Sequence, residues 1–171
     1  GSIRHMIARM QADLAIDPRR IYVAGLSAGG AMTAVLLAVY PELFAGGAII
    51  AGIPYGCATG LPSALRCQLW GRDLEPAEWS DLVRQATAGS GLKPHAWPTV
   101  SIWQGESDWS VDPDNAVELL EQWTTVQGLD PRSAVEEAGR GYSRRVYRDA
   151  TGQPRVESYL IAEMSHGQPI D

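Results

Sequence analysis

The chain has 171 residues, enough for one sizeable core and too few for two comfortable domains, so one domain over residues 1–171 is expected. It is 45% hydrophobic and 20% charged with a net charge of -6, an ordinary globular balance without the basic surface that nucleic acid or an anionic membrane needs. Even the apolar stretch from Ala45 to Ile53 is short and broken by glycines, far from the roughly 20 residues of a membrane helix, and no CxxC, HExxH or paired histidines offer a metal ligand set, so neither metal nor cofactor is expected.

Ile3, Ile7, Met10 and Leu14 recur at helical spacing, with Arg4, Arg9, Gln11 and Asp13 between them, which predicts an amphipathic helix. Gly1-Ser2 opens within that helix, so any signal peptide is expected to be removed or to lie upstream. Asp17-Pro18 breaks the helix, and Arg20 to Ala24 reads as a short buried strand of the parallel-sheet kind. Ala28 to Val39 predicts a helix that stops just before Pro41. Further strands are expected at Gly47 to Ala51 and Thr99 to Trp103.

Residues 54–97 mix a Cys-containing loop, a helix around Pro76 to Ala88 and a Gly/Pro-rich return, read as a cap or insert over one end of the sheet. Its two cysteines, Cys57 and Cys67, suit either a small disulfide in an oxidising compartment or two buried thiols. Asn115 to Val126 predicts the next helix, and Tyr142 to Arg148 with Arg155 to Ala162 predicts two strands around a Thr151-Gly152 turn.

Gly25-Leu26-Ser27-Ala28-Gly29 fits G-x-S-x-G and falls between a predicted strand and a predicted helix. A serine there sits on a sharp turn, with glycines on both flanks letting strand and helix approach while the hydroxyl projects above the sheet. The helix start aims N–H groups at the place where negative charge develops during acyl transfer, Ala28 N–H being the natural oxyanion donor. A serine hydroxyl needs a base and a carboxylate, expected downstream in the order Ser, Asp/Glu, His.

Asp108 follows the third strand directly; Glu106, Asp112 and Asp114 compete, though Asp112 or Asp114 suits capping of the next helix better. Among the three histidines, His5 lies in the first helix and His95 in a Pro-rich loop, whereas His166 follows the last strand, from where a loop can carry it over the sheet end. Ser27, Asp108 and His166 are therefore the candidate triad. Trp70, Trp79, Trp103 and Trp109 lie near the pocket-forming segments, where they either contact an acyl or sugar ring or belong to the core, the core reading weighing more for Trp103.

The run from Asp17 to Met32 (DPRRIYVAGLSAGGAM) resembles the nucleophile region of polyhydroxybutyrate depolymerase-type esterases, a family that includes feruloyl and acetylxylan esterases. Ala51 to Ala58 (AGIPYGCA), Trp103 to Val111 (WQGESDWSV) and Met164 to Gly167 (MSHG) resemble its later segments, so the similarity covers nearly the whole chain. The resemblance implies an α/β-hydrolase fold with a mostly parallel sheet flanked by helices, cofactor-free ester hydrolysis through an acyl-serine, and export to an extracellular or periplasmic space. It gives Ser27, Asp108 and His166 the triad roles, and Tyr55 and Trp109 stand where substrate contact is expected.

The His-Gly-Cys loop that usually precedes the nucleophile and supplies the second oxyanion donor is not found. The chain accordingly reads as N-terminally shortened, a fragment or a short homologue whose open sheet edge invites a homodimer. A short acyl, hydroxyalkanoate, feruloyl or acetyl ester, small or polymeric, is the expected substrate. An acyltransferase, or a weakly active or inactive binding module of the same fold, are the alternatives.

Overall fold

The structure, a computed structural model, describes residues 2–89 and 97–169. It contains α1 (Ser2–Asp13), β1 (Tyr22–Leu26), α2 (Ala28–Val39), β2 (Gly46–Ile50), α3 (Leu61–Trp70), α4 (Pro76–Gly89), β3 (Thr99–Gly105), α5 (Asp114–Val126), β4 (Val135–Gly139), β5 (Tyr142–Arg148) and β6 (Pro154–Ile161). The strands form one sheet in the order β1-β2-β3-β6-β5-β4. The first four run parallel, and β5 and β4 add antiparallel at the far edge.

The alternation along the parallel strands decides which side is packed. Val100 and Ile102 of β3 and Val156 of β6 face Leu37 of α2, Val83 of α4 and Leu119 and Trp123 of α5, forming the main core. Helix α2 lies over β1 and β2, α5 over β3 and β6, and α4 bridges the two. The bridge is specific: Thr87 Oγ1 of α4 donates to the Ala38 carbonyl of α2. The opposite sheet face carries a hollow of about 480 Å³ lined by Tyr22, Ala24, Ser101, Arg144 and Glu157 among others.

The predicted helices and strands are present with ends displaced by a few residues. Asp17 accepts from Arg19 N–H at 2.9 Å and opens a single 3-10 turn over Pro18–Arg20, so β1 starts at Tyr22 rather than Arg20. Four features differ from expectation. β1, expected to be buried, is the edge strand, with Tyr22, Ala24 and Leu26 exposed. The Cys-containing loop holds the helix α3, whose Leu61, Leu65 and Leu69 recur at helical spacing but form its exposed side, the reverse of the usual arrangement. The strand β4 is exposed throughout and shows no alternation, being held instead by the cross-strand ion pairs Glu136–Arg145 at 3.0 Å and Glu137–Arg144 at 2.8 Å. In α1 only Ile7 of the four apolar positions packs on the core, while Met10 and Leu14 are exposed.

Cys57 and Cys67 form a disulfide with Cα atoms 6.2 Å apart, buried beside Trp79. The bridge ties the loop after β2 to α3 across a sequence separation of 10 residues. Closing so short a loop stabilises by about 3 kcal/mol in the chain-entropy account. The double variant Cys57→Ser/Cys67→Ser is therefore expected to lose about that much in denaturant unfolding; a loss below about 1 kcal/mol would show that the bridge does not restrict the unfolded chain in this way.

Candidate active site

The C-terminal ends of the parallel strands carry every sequence-predicted triad residue. Ser27 directly follows β1, with φ 59° and ψ -118°, a conformation rare for a residue with a side chain. Its N–H donates to the Ile50 carbonyl of β2 at 2.9 Å and its carbonyl accepts from Ala31 N–H at 3.0 Å, so the backbone is pinned on both sides. Ser27 occupies the N-cap position of α2, yet its hydroxyl makes no cap hydrogen bond. The hydroxyl is left for other chemistry, and the first N–H groups of α2, starting at Ala28, have no intrahelical acceptor.

The tight approach rests on Gly25 and Gly30. A Cβ at Gly25 would fall 2.2 Å from the Gly29 carbonyl oxygen, and one at Gly30 would fall 2.7 Å from that of Ile50. Gly29 differs from the sequence reading, since a Cβ there meets open space. The crowding falls at Gly25 in β1 and at Gly30 in the first turn of α2, where the helix crosses β1 and β2.

Asp108 and His166 meet directly: His166 Nδ1 lies 2.9 Å from Asp108 Oδ2. The Asp108 side chain is 0% exposed and that of His166 24% exposed. Asp108 Oδ1 accepts from the N–H groups of Ser110 at 2.8 Å and Val111 at 2.9 Å, and Oδ2 also accepts from Gln104 Nε2 at 3.1 Å. Burial alone would push this carboxyl up; the N–H of Val111, the His166 ring and the N–H of Ser110 together outweigh it and hold Asp108 below its ordinary range.

The two loops that carry this pair are zipped together. Glu106 N–H donates to the Ile161 carbonyl at 2.9 Å and Ser107 N–H to that of Met164 at 3.0 Å. A Cβ at Gly105 would fall 2.3 Å from the Met164 carbonyl oxygen, so only glycine lets the histidine loop lie against the end of β3. Glu163, with φ 58°, and Ala51, with φ 44°, join Ser27 as the non-glycine residues with positive φ among the described residues. All three fall at this one edge of the sheet, and backbone strain concentrated in this way is a mark of functional sites.

The competing carboxylates have other places. Asp112 Oδ1 accepts from Asp114 N–H at 3.0 Å at the start of α5, the capping duty expected of that pair, and Glu106 is exposed. His5 is exposed on α1, and His95 lies outside the described residues. The structure brings Asp108 and His166 into contact but makes no hydrogen bond from Ser27 Oγ to His166 among the described residues; Ser27 stands at the same edge, two strands from β3.

Ala28, Met32, Ile53, Tyr55, Leu82 and Ala86 are among the residues lining a hollow of about 500 Å³ beside Ser27. Tyr55 is half-buried there, and its backbone is clamped by the buried Gln122, which accepts from Tyr55 N–H at 3.0 Å and donates to its carbonyl at 2.9 Å. Trp109, next to Asp108, is 82% exposed and Trp70 is 71% exposed, while Trp79 belongs to the core. Trp103 lies half-buried on the helix-free face, stacked on Tyr159 with ring centroids 3.8 Å apart, and not in the core where the strand reading put it. Gln104 and Gln122 escaped the sequence reading because a lone glutamine carries no spacing signal; the break in β3, where Val100 and Ile102 are followed by Gln104 on the packed side, is the one available cue.

Because Asp108 is held below its ordinary range, its ionised form stabilises the fold above the carboxylate range of the unfolded chain, about pH 4. That contribution is lost as pH falls through the still lower folded value. The stability gap between the wild type and Asp108→Asn is expected to be full at neutral pH and to shrink below about pH 4; denaturant titrations at several pH values read it, and a pH-independent gap would contradict it.

Residues 1–145 match the family described as Esterase PHB depolymerase. Over 171 residues the chain is 47% identical to the poly(3-hydroxyalkanoate) depolymerase C of Paucimonas lemoignei, covering 99% of this chain and 40% of that protein. It is 34% identical over 160 residues to an acetylxylan esterase of Coprinopsis cinerea, covering 90% and 41% respectively. The chain thus spans about two fifths of the length of these relatives. Among solved structures, an acetyl xylan esterase from Aspergillus awamori superposes with a TM-score of 0.88 at 25% identity, over 99% of this chain and 62% of that one. The PHB depolymerase from Penicillium funiculosum shares the fold with a TM-score of 0.64 at 21% identity, over 91% and 42%. The sheet and its helices are those of the α/β-hydrolase esterases, and the chain belongs to the Esterase PHB depolymerase family.

Proposed function

We propose that this chain is the catalytic part of a serine carboxylic-ester hydrolase working through an acyl-serine intermediate. The observation that carries the reading is the pairing of buried Asp108 with half-buried His166 at the same end of the sheet as a strained Ser27 whose hydroxyl makes no cap hydrogen bond. Ser27 attacks the ester carbonyl as His166 takes its proton, while Asp108 holds the ring by Nδ1 and stabilises its charged form. The oxyanion forms against Ala28 N–H at the start of α2. His166 then protonates the leaving alcohol, and water repeats the sequence to release the acid. The Ser27–His166 hydrogen bond forms only with substrate in place, as such contacts are often unmade or long in free enzymes.

The substrate we infer is a short acyl, hydroxyalkanoate or aryl ester. The hollow beside Ala28 has mostly apolar walls, and Tyr55 from the loop after β2 and Leu82 from α4 line it, which supports a pocket-shaping role for this part of the chain while α4 also packs into the core. Tyr55 borders the acyl group, and the exposed Trp109 meets the part of the substrate that leaves the pocket. The disulfide suits an oxidising, extracellular or periplasmic space. No helix among the described residues is long and apolar enough to cross a membrane. The outer edge of β1, without charge or proline between Tyr22 and Leu26, suits pairing with a further strand, and a homodimer is one arrangement that supplies it.

Hydrolysis of p-nitrophenyl acetate and butyrate, methyl ferulate and 3-hydroxybutyrate oligomers tests the activity, and light scattering tests the dimer. Turnover of at least one ester class by the folded chain is expected. No turnover of any of them by a folded sample would overturn the reading.

A further inference from the structure

We propose that Gln104 is a positioning residue of this site, its buried carboxamide fixing the Asp108 oxygen that His166 binds. The proposal rests on the serine esterase reading above.

Gln104 stands at the C-terminal end of β3 with 1% exposure, in the register position that Val100 and Ile102 occupy with aliphatic side chains. A buried amide at an apolar position is costly unless its hydrogen bonds are made. The Nε2 donates to Asp108 Oδ2 at 3.1 Å and to the Val111 carbonyl at 3.2 Å, with a longer approach to the Gly105 carbonyl at 3.4 Å.

These bonds close a ring. Val111 N–H donates to Asp108 Oδ1 at 2.9 Å, so Gln104, Asp108 and Val111 each bind the other two. The carboxylate cannot rotate about its Cβ–Cγ bond without breaking bonds at both oxygens. Oδ2, the oxygen that receives Gln104, is also the one 2.9 Å from His166 Nδ1. A neutral donor is what this place needs. An acid would repel Asp108, and a cation would compete with the imidazolium for its charge.

Gln104→Met keeps about the length and volume of the side chain and removes its carboxamide, and with it the Nε2 donor. Two readouts separate positioning from packing. The first is turnover of p-nitrophenyl acetate, where kcat is expected to fall roughly 10- to 100-fold with KM within about twofold, the scale of a misplaced catalytic group. The second is the low-field proton NMR signal of His166 Nδ1–H, expected to shift or broaden as the carboxylate gains freedom. That signal needs no turnover, so Gln104 is tested even if the esterase reading fails on the wild type. A folded Gln104→Met with wild-type kcat and an unchanged signal would overturn the proposal and leave the esterase reading standing. Should that variant not fold, Gln104→Leu removes the donor with another aliphatic side chain of the kind that Val100 and Ile102 place in the same strand; wild-type kcat in it would overturn the proposal equally.

Discussion

Ser27→Ala is expected to abolish ester hydrolysis, lowering kcat by about 10⁶-fold, the scale of losing the nucleophile of a Ser-His-Asp unit. The fold should survive. The Ser27 hydroxyl makes no cap hydrogen bond, so its removal orphans no partner on α2. The positive φ strains serine and alanine alike, and the two backbone bonds through the Ser27 N–H and carbonyl do not depend on the side chain. Stability should therefore change by less than about 1 kcal/mol. Burst and steady-state kinetics on p-nitrophenyl butyrate, paired with thermal unfolding, read both halves. Residual turnover within about 100-fold of the wild type would mean that another group attacks the ester.

Asp108→Asn is the second large effect, an expected loss of about 10⁴-fold in kcat with the geometry kept. An asparagine can still accept from the Ser110 and Val111 N–H groups through its oxygen. What stands opposite His166 Nδ1 and Gln104 Nε2 is then an NH2 group facing two donors. The histidine must present a lone pair at Nδ1 and carry its proton on Nε2, the wrong tautomer to accept from serine. The loss should be in kcat rather than KM, because Asp108 is buried and away from solvent and substrate. A variant within about tenfold of the wild type would place the orienting carboxylate elsewhere, with the exposed Glu106 the next to test.

Much of this site was legible because its parts are short-range. The strand, turn and helix around the G-x-S-x-G run lie in the contiguous stretch from Arg20 to Val39, and α2 occupies Ala28–Val39 as the sequence predicts. The pairing of Asp108 with His166 spans 58 residues, and was readable only through chain order and the small supply of histidines. Of the glycines around Ser27, Gly25 and Gly30 are crowded and Gly29 is not, because crowding depends on how α2 crosses β1 and β2, which the motif does not encode.

What escaped the sequence follows from the same limit. Helix α3 carries its leucines at a helical spacing of four but turns them to solvent, and the glycines and proline around it read as loop. Strand β4 has no buried residue and exists through its pairing with β5. Trp103 reads as core if β3 is buried on both faces, as parallel strands usually are; here it belongs to the face with the hollow, stacked on Tyr159. Gln104 and Gln122 act through bonds to residues 4 and 67 positions away, a relation that composition and periodicity do not carry.

The account turns on Ser27 becoming acylated, and a serine-directed alkyl phosphonate tests that most directly. Intact mass and peptide mapping of the treated chain should show one adduct, on the peptide containing Ser27, absent from Ser27→Ala and slowed in Asp108→Asn. A folded chain left unmodified, or one modified at another serine while Ser27 stays free, would contradict the account.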